Sequence, residues 1–165
     1  MALTPSELNR NRRKIEQAHR KFYDRLLKYR RPGLEDQVVE LHHEVFAKTD
    51  CLACANCCKT ISPVFKERDI SRLAQHMGIK PGEVVARHLR LDEDGDYVPN
   101  AVPCPFLGHD NRCAIYAARP FACSSYPHTD TLPLRKQVDL IVKNSAVCPA
   151  VYEITSKLME DHDHV

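Results

Sequence analysis

Apolar side chains recur at helical spacing over the first fifty residues and predict two amphipathic helices. The first begins at Thr4-Pro5-Ser6-Glu7. Thr4 can cap the helix, Pro5 suits the first helical position and Glu7 completes a capping box. The helix is predicted to end at the turn residues 30–33. The second runs from about 34 to 48. Together they predict a helical hairpin over residues 1–50. The two predicted buried stripes are Leu8, Ile15, Ala18, Phe22, Leu26 and Tyr29, and then Leu34, Val38, Leu41 and Val45.

Similar spacing predicts three further helices beyond residue 50. They cover about 66–77, 81–89 and 148–159, and Gly78 is the expected stop of the first. The dipeptide Asp94-Gly95 predicts a solvated turn between two short strands near 88–91 and 97–98. Residues 99–133 are rich in proline, and we expect metal coordination to order them. The predicted fold class is therefore mainly α: an N-terminal helical hairpin before a small, irregular, metal-organised domain with a short β-hairpin. The domain boundaries are 1–50 and 51–165, and we expect one compact unit.

Eight cysteines carry the strongest chemical signal in the chain. Four of them lie within eight residues, and four follow at wider spacing. Thiolates are soft ligands, so eight could serve two four-thiolate sites, or one iron–sulfur cluster and a second metal. A disulfide framework is disfavoured by the tight clustering of four thiols. The predicted metal ligands are Cys51, Cys54, Cys57, Cys58, Cys104, Cys113, Cys123 and Cys148.

The spacing of the first cysteines bears on which metal is bound. Cys51, Cys54 and Cys57 form a chained C-x2-C-x2-C run, and two Cys-Pro pairs follow later, which resembles bacterial ferredoxin spacing. This favours an iron–sulfur cluster slightly over zinc. Because Cys58 directly follows Cys57, we expect their side chains to diverge. The expectation is therefore two centres close in space, with the first four cysteines divided between them and the later four completing both.

Other side chains near the cysteines are weaker candidates. His109 and His128 could replace a thiol, although eight thiols already suffice for two sites. Arg119 is a candidate cofactor-binding residue, since its charge could offset several thiolates, and a purely structural arginine is the alternative. Tyr116 and Tyr126 are interpreted as packing residues. No nucleophile–base pair and no glycine-rich cofactor loop is visible, so the sequence does not predict an enzyme.

Charge and hydropathy narrow the partners and the location. The net charge of the 165-residue chain is only +2, but residues 10–31 hold ten Lys or Arg against two acidic residues. Such a helix could contact nucleic acid, an anionic lipid surface or an acidic protein, although a solvated helix face is the favoured interpretation. No apolar stretch is long enough for a membrane-spanning helix and no signal peptide is visible, so a cytoplasmic location is expected.

Three later motifs follow the cysteine run in a fixed order: Cys104-Pro-Phe-Leu, Cys113-Ala-Ile-Tyr116 and Arg119-Pro120-Phe-Ala-Cys123. With the CxxCxxCC run they resemble the YkgJ family of cysteine-cluster proteins, from about residue 51 to residue 149. The resemblance implies zinc or iron chelation by the first seven cysteines, and Cys148 falls where members often carry a last one. Flagellin lysine methylases carry a similar cluster, which adds methyl transfer to the candidate activities.

Three classes of function remain open from the sequence. The first is a metal-binding protein with two thiolate-rich centres, acting in electron transfer, in metal handling or as an accessory to a modification system. The second is an interaction module with structural zinc, in which the basic helix binds nucleic acid or protein. The third is a methyl-transfer or redox enzyme.

Overall fold

The structure is a computed structural model that describes residues 3–131 and 133–164. It is mainly α-helical with one two-stranded antiparallel hairpin, which confirms the predicted fold class. The elements in chain order are α1 (Pro5–Leu26), α2 (Leu34–Phe46), α3 (Cys51–Cys54), α4 (Asn56–Thr60), α5 (Glu67–Met77), α6 (Pro81–His88), β1 (Leu89–Leu91), β2 (Tyr97–Pro99), a 3-10 turn (Tyr116–Ala118), α7 (Phe121–Ser124), α8 (Leu134–Ser145) and α9 (Pro149–Asp161).

Internal contacts group the chain into two units. One contains residues 1–50 and 127–165, and the other contains residues 51–126. Among the described residues, no helix is both long enough and apolar enough to cross a membrane.

The first unit is built from the four longer helices α1, α2, α8 and α9, which pack through their apolar faces. The predicted capping box of α1 is present: the Glu7 N–H donates to Thr4 Oγ1 and the Thr4 N–H donates to the Glu7 carboxylate. Two polar side chains are buried between distant helices. His19 Nδ1 lies 2.7 Å from Ser145 Oγ, and Tyr23 Oη lies 3.2 Å from Thr155 Oγ1. Burial raises the pKa of Tyr23 to about 12.

The second unit packs α5 and α6 against the hairpin and the irregular segment that follows it. In the hairpin, Arg90 pairs with Val98, and the turn carries Gly95 at φ 79° as the Asp-Gly signal predicts. The apolar stripe of α5 is buried as predicted, and Cys104 and Cys113 pack at the edge of the same core. Its buried residues are Phe65, Ile70, Leu73, Ala74, Val84, Leu89, Phe106, Ile115 and Ala118.

Several sequence expectations differ from the structure. Helix α1 stops at Leu26, so Tyr29 is exposed outside it, and Ala18 is exposed too, while His19 and Tyr23 are buried instead. Helix α8 was not predicted at all. Its apolar residues Leu134, Val138, Ile141 and Val142 are buried at helical spacing directly after the proline-rich segment.

Candidate metal centre

The cysteine run forms two short helical turns rather than an open loop. Helix α3 ends at Cys54, and α4 contains Cys57 and Cys58. Between them Ala55 adopts a left-handed conformation, with φ 45°, and its N–H donates to the carbonyl oxygen of Cys51 at 2.8 Å. A residue other than glycine in this conformation is strained, and such strain concentrates at functional sites. The reversal at Ala55 turns the chain between the two cysteine pairs.

The thiols of Cys57 and Cys58 lie close enough to interact, although the two side chains leave neighbouring positions of one helical turn. A hydrogen bond from the Cys57 thiol holds the pKa of Cys58 well below its usual value, to about 6, against the opposing effect of burial. Neighbouring positions on a helix point about 100° apart, but sulfur forms long hydrogen bonds that still join the two groups. Adjacency alone therefore does not assign these two thiols to different centres.

Two hydrogen bonds attach the later segment to the cysteine run. The Cys104 N–H donates to the Cys58 carbonyl oxygen at 2.9 Å. The Asn111 side-chain amide donates to the Ala53 carbonyl oxygen at 3.2 Å, and Asn111 itself has φ 63°. These bonds hold the Cys104–Cys113 segment beside helices α3 and α4.

Cys104 and Cys113 lie at the two ends of a tight loop. Leu107 and Cys113 form an antiparallel bridge, the Ala114 N–H donates to Phe106, and the Gly108 N–H donates to the Arg112 carbonyl oxygen. A side chain at Gly108 would come within 2.6 Å of the Asp110 carboxylate and 3.2 Å of the Arg112 carbonyl oxygen. A side chain at this position would therefore displace the Asp110 carboxylate.

Backbone N–H groups act on the thiols of this loop. Those of Phe106 and Leu107 favour the thiolate form of Cys104, and that of Ile115 favours the thiolate form of Cys113. Burial raises the pKa of both thiols, and these hydrogen bonds oppose that shift. Such N–H···S bonds stabilise the thiolate form, which is the form that binds metals.

Cys123 is positioned by a buried carboxylate. Asp69 on α5 is 3% exposed. Its carboxylate accepts a hydrogen bond from the Lys66 N–H at the start of the same helix, and another from the Phe121 N–H at 3.1 Å. Phe121 begins α7, the short turn that carries Cys123. Burial raises the pKa of the Cys123 thiol to about 12, so without a compensating charge it stays protonated.

Among the eight cysteines, Cys58 acts electrostatically on Cys104, Cys113 and Cys123. Beyond the dominant effect of burial, Cys58 and Cys113 raise the pKa of Cys104, and Cys58, Cys104 and Cys113 all raise the pKa of Cys123. These effects indicate that Cys58, Cys104, Cys113 and Cys123 lie near one another, as one group, in the second unit. Like charges held together in a half-buried place are costly, and a bound cation offsets that cost.

The donor set of this group fits a thiophilic metal such as zinc or iron. Within 3–131 and 133–164, however, no three His, Cys, Asp or Glu side chains are arranged as a ready metal-ion site. Ligation through the four thiols therefore requires their sulfurs to draw closer than they are in this structure.

The other predicted ligands are distributed differently. Cys51 is exposed and Cys54 is half-buried, both on α3. Cys148 belongs to the other unit, where it precedes α9 and packs partly against the helical core. Of the two histidines, His109 is exposed in the second unit, and His128 lies in the first, where burial lowers its pKa. No disulfide joins any of the eight cysteines, all of which the structure describes.

Arg119 lies beside the thiol group but contacts an aromatic ring. Its positive charge opposes the rise that burial causes in the pKa of Cys113 and Cys123. Its guanidinium carbon lies 3.9 Å from the centroid of the Tyr116 ring. Tyr116 is 56% exposed, and its ring packs against the Arg119 guanidinium rather than in the core. Arg119 lies three residues after Tyr116 and precedes a proline. This local sequence could have indicated a surface site.

Comparison with known proteins identifies the segment that carries these cysteines. Residues 50–149 match the family model CxxCxxCC, described as "Putative zinc- or iron-chelating domain". The searches of curated proteins and of solved structures return no match. The match covers more than half of the chain and contains all eight cysteines. The chain therefore belongs to the CxxCxxCC family of zinc- or iron-chelating domains.

Proposed function

We propose that this protein binds metal in two thiolate-rich centres and acts in electron transfer or as an accessory to a modification system. The observation that supports it best is the electrostatic effect of Cys58 on Cys104, Cys113 and Cys123, since these four cysteines come from three separate segments. These thiols resist ionising together unless a cation binds, and the matching family is described as zinc- or iron-chelating. In domain terms, the proposal assigns metal binding to residues 51–165 and a helical extension to residues 1–50.

The first proposed centre uses Cys58, Cys104, Cys113 and Cys123. Backbone N–H groups already favour the thiolate forms of Cys104 and Cys113, which are the forms that bind metal. Arg119 supplies a positive charge beside the group. Its role is to offset part of the negative charge that four thiolates carry with a divalent ion, about −2 in total.

The second proposed centre draws on Cys51, Cys54 and Cys57. Their C-x2-C-x2-C spacing favours an iron–sulfur cluster here, with zinc as the alternative. Cys148 stays a predicted ligand on the evidence of sequence. We further propose that the protein is a YkgJ-type member of the family and is cytoplasmic, since a reducing compartment keeps thiols available as ligands.

Metal analysis of protein purified without oxygen tests the proposal directly. We expect bound iron with acid-labile sulfide and visible absorbance, or about two zinc ions per chain, the stoichiometry of paired four-thiolate sites. Iron with sulfide supports the redox role, and zinc alone supports a structural role. Protein that contains neither metal and takes up neither on anaerobic reconstitution contradicts the proposal.

A second candidate function is an interaction module with structural zinc, favoured by the surface of α1 and the residues after it. Of the ten basic side chains between 10 and 31, eight are exposed; Arg20 pairs with Asp139 at 2.6 Å and is partly covered, as is Arg31. An exposed basic surface of this size suits a polyanion. This candidate predicts nucleic-acid binding that weakens steeply with salt. Absence of binding at low salt removes the nucleic-acid version of this candidate. A methyl-transfer or redox enzyme is the third candidate.

A further inference from the structure

A surface pocket of about 400 Å³ opens beside the segment that carries Cys113 and Cys123. It lies wholly within the second unit and is formed where α5, the 3-10 turn and α7 meet. Its volume falls in the range of small-ligand sites, roughly 300–1,000 Å³. The lining residues are Arg72, Tyr116, Ala117, Arg119, Phe121 and Ser124.

Two guanidinium groups line the pocket, and the charge of one carboxylate offsets the charge of only one of them. Arg72 donates from Nη2 to Asp69 Oδ1 at 2.8 Å and to the Arg119 carbonyl oxygen at 2.7 Å, which holds it in place. Within the described residues no carboxylate pairs with the side chain of Arg119, which lies over the Tyr116 ring. The pocket therefore has a net positive charge, and the planar N–H fork of Arg119 is available to an anion.

The same pocket presents aromatic surface to solvent. Phe121 is 69% exposed and Tyr116 is 56% exposed, which is unusual for residues of this size. The backbone of Phe121 is held by the Asp69 carboxylate and by the hydroxyl of Ser125, which donates to its carbonyl oxygen at 2.7 Å. Both the charged and the apolar parts of the pocket are thus anchored by the buried Asp69.

We propose that this pocket binds a small organic anion, in which a carboxylate or phosphate is carried on a planar apolar group. The anion accepts hydrogen bonds from Arg119, and Arg72 adds a second positive charge. The planar group packs on the exposed Phe121 ring. Because Arg119 also faces the thiolate charge of the proposed metal centre, probe binding is compared between samples of equal metal content.

Phenyl phosphate and benzoate are suitable probes, titrated into the full-length protein and followed by amide NMR shifts. Inorganic phosphate and phenol are the matched half-ligands. We expect saturable shifts around residues 116–124 with the two probes, and weaker binding of each half-ligand. Arg119→Gln should weaken binding about tenfold or more, as for loss of a charged hydrogen bond. Phe121→Ala should weaken it about fivefold through loss of aromatic packing. Arg112→Gln, an exposed arginine outside the pocket lining, is the control.

Several outcomes overturn the inference. They are no saturable binding of either probe, equal binding of phenol, equal binding of inorganic phosphate, or equal loss in Arg112→Gln and Arg119→Gln. Phe121→Ala keeps the test valid if Arg119→Gln does not fold. Metal content is measured on every sample. Normal metal with no probe binding overturns this inference alone, whereas probe binding without metal overturns the proposed metal function alone.

Discussion

The backbone N–H of Cys104 donates a hydrogen bond to the carbonyl oxygen of Cys58 at 2.9 Å. The bond joins the cysteine run on α4 to the Cys-Pro-Phe-Leu motif, 46 positions later in the sequence. Because both residues belong to the proposed first centre, the bond positions two thiols before any ligation. The arrangement of the four thiols in this proposed centre therefore depends on backbone geometry as well as on side chains.

Substitution of one cysteine from each proposed centre should remove metal in separate steps. Cys123→Ser is expected to lose the metal of the first centre, and Cys54→Ser that of the second. Each variant should also unfold more readily, because metal affinity here is folding free energy. Metal content and thermal unfolding measure both effects, and Ser124→Ala is the control beside Cys123. Full metal content in Cys123→Ser would show that Cys123 is not a ligand.

Two glycine substitutions should have opposite effects on stability. Gly108→Ala displaces the Asp110 carboxylate, which accepts from the Arg112 N–H at 3.0 Å, and we expect a loss of about 1 kcal/mol. Gly82→Ala in α6 meets no atom within 4 Å, and we expect a gain of about 0.5–1 kcal/mol from helix propensity. Urea unfolding of both variants provides the comparison. The packing argument fails if Gly108→Ala proves neutral.

Asp69→Asn should destabilise the protein more than a matched surface change. The Asp69 carboxylate accepts all three of its hydrogen bonds. An amide has only one accepting oxygen, so in Asp69→Asn at least one of the three donors would face the N–H group of the amide. We expect a loss of about 2–3 kcal/mol in the free energy of unfolding, since the bonds are charge-assisted and Asp69 is buried.

The matched surface change is Asp96→Asn, which breaks an exposed pair with Lys66 at 2.6 Å and should cost about 0–1 kcal/mol. Asp69→Asn should also weaken metal binding, because Phe121 and the α7 turn that carries Cys123 depend on this carboxylate. Equal destabilisation by the two variants contradicts the anchoring role of Asp69.

Stability should fall on acidification because His19 is buried in its neutral form. Burial lowers its pKa from 6.5 to about 4, so the unfolded chain binds this proton more readily than the folded one. The contribution is complete above pH 6.5 and is lost as the pH falls from 6.5 to 4, by about 3 kcal/mol in total.

Urea unfolding at pH 7 and pH 4.5 measures this contribution as a slope. His19→Gln should show a shallower loss of stability between the two pH values, and the exposed His76→Gln should match the parent protein. Comparing slopes separates the histidine from protonation of the thiols, which affects all three proteins alike. An unchanged slope in His19→Gln contradicts the prediction.

Local signals predicted most of the long elements. The capping box at Thr4 and the periodic apolar stripes located α1, α2, α5 and α6 to within a few residues. The hairpin followed from Asp94-Gly95. Helix α8 has the same periodicity and could have been predicted. It begins directly after a proline-rich segment, however, and such a segment favours irregular structure.

The sequence by itself indicated the candidate metal donors of this protein. Eight thiols, their order and the family motifs indicate metal chelation without any knowledge of the fold. These signals are local, since they depend only on residue type and on spacing within short segments.

The tertiary structure alone decided which of these groups meet. It placed Cys58 within electrostatic range of Cys104, Cys113 and Cys123, set the Cys57 thiol beside Cys58, and left Tyr116 and Phe121 exposed beside Arg119. Each of these outcomes depends on contacts between residues distant in the sequence, such as the Asp69–Phe121 hydrogen bond. Spacing along a chain does not encode such contacts, because they arise only when the core packs.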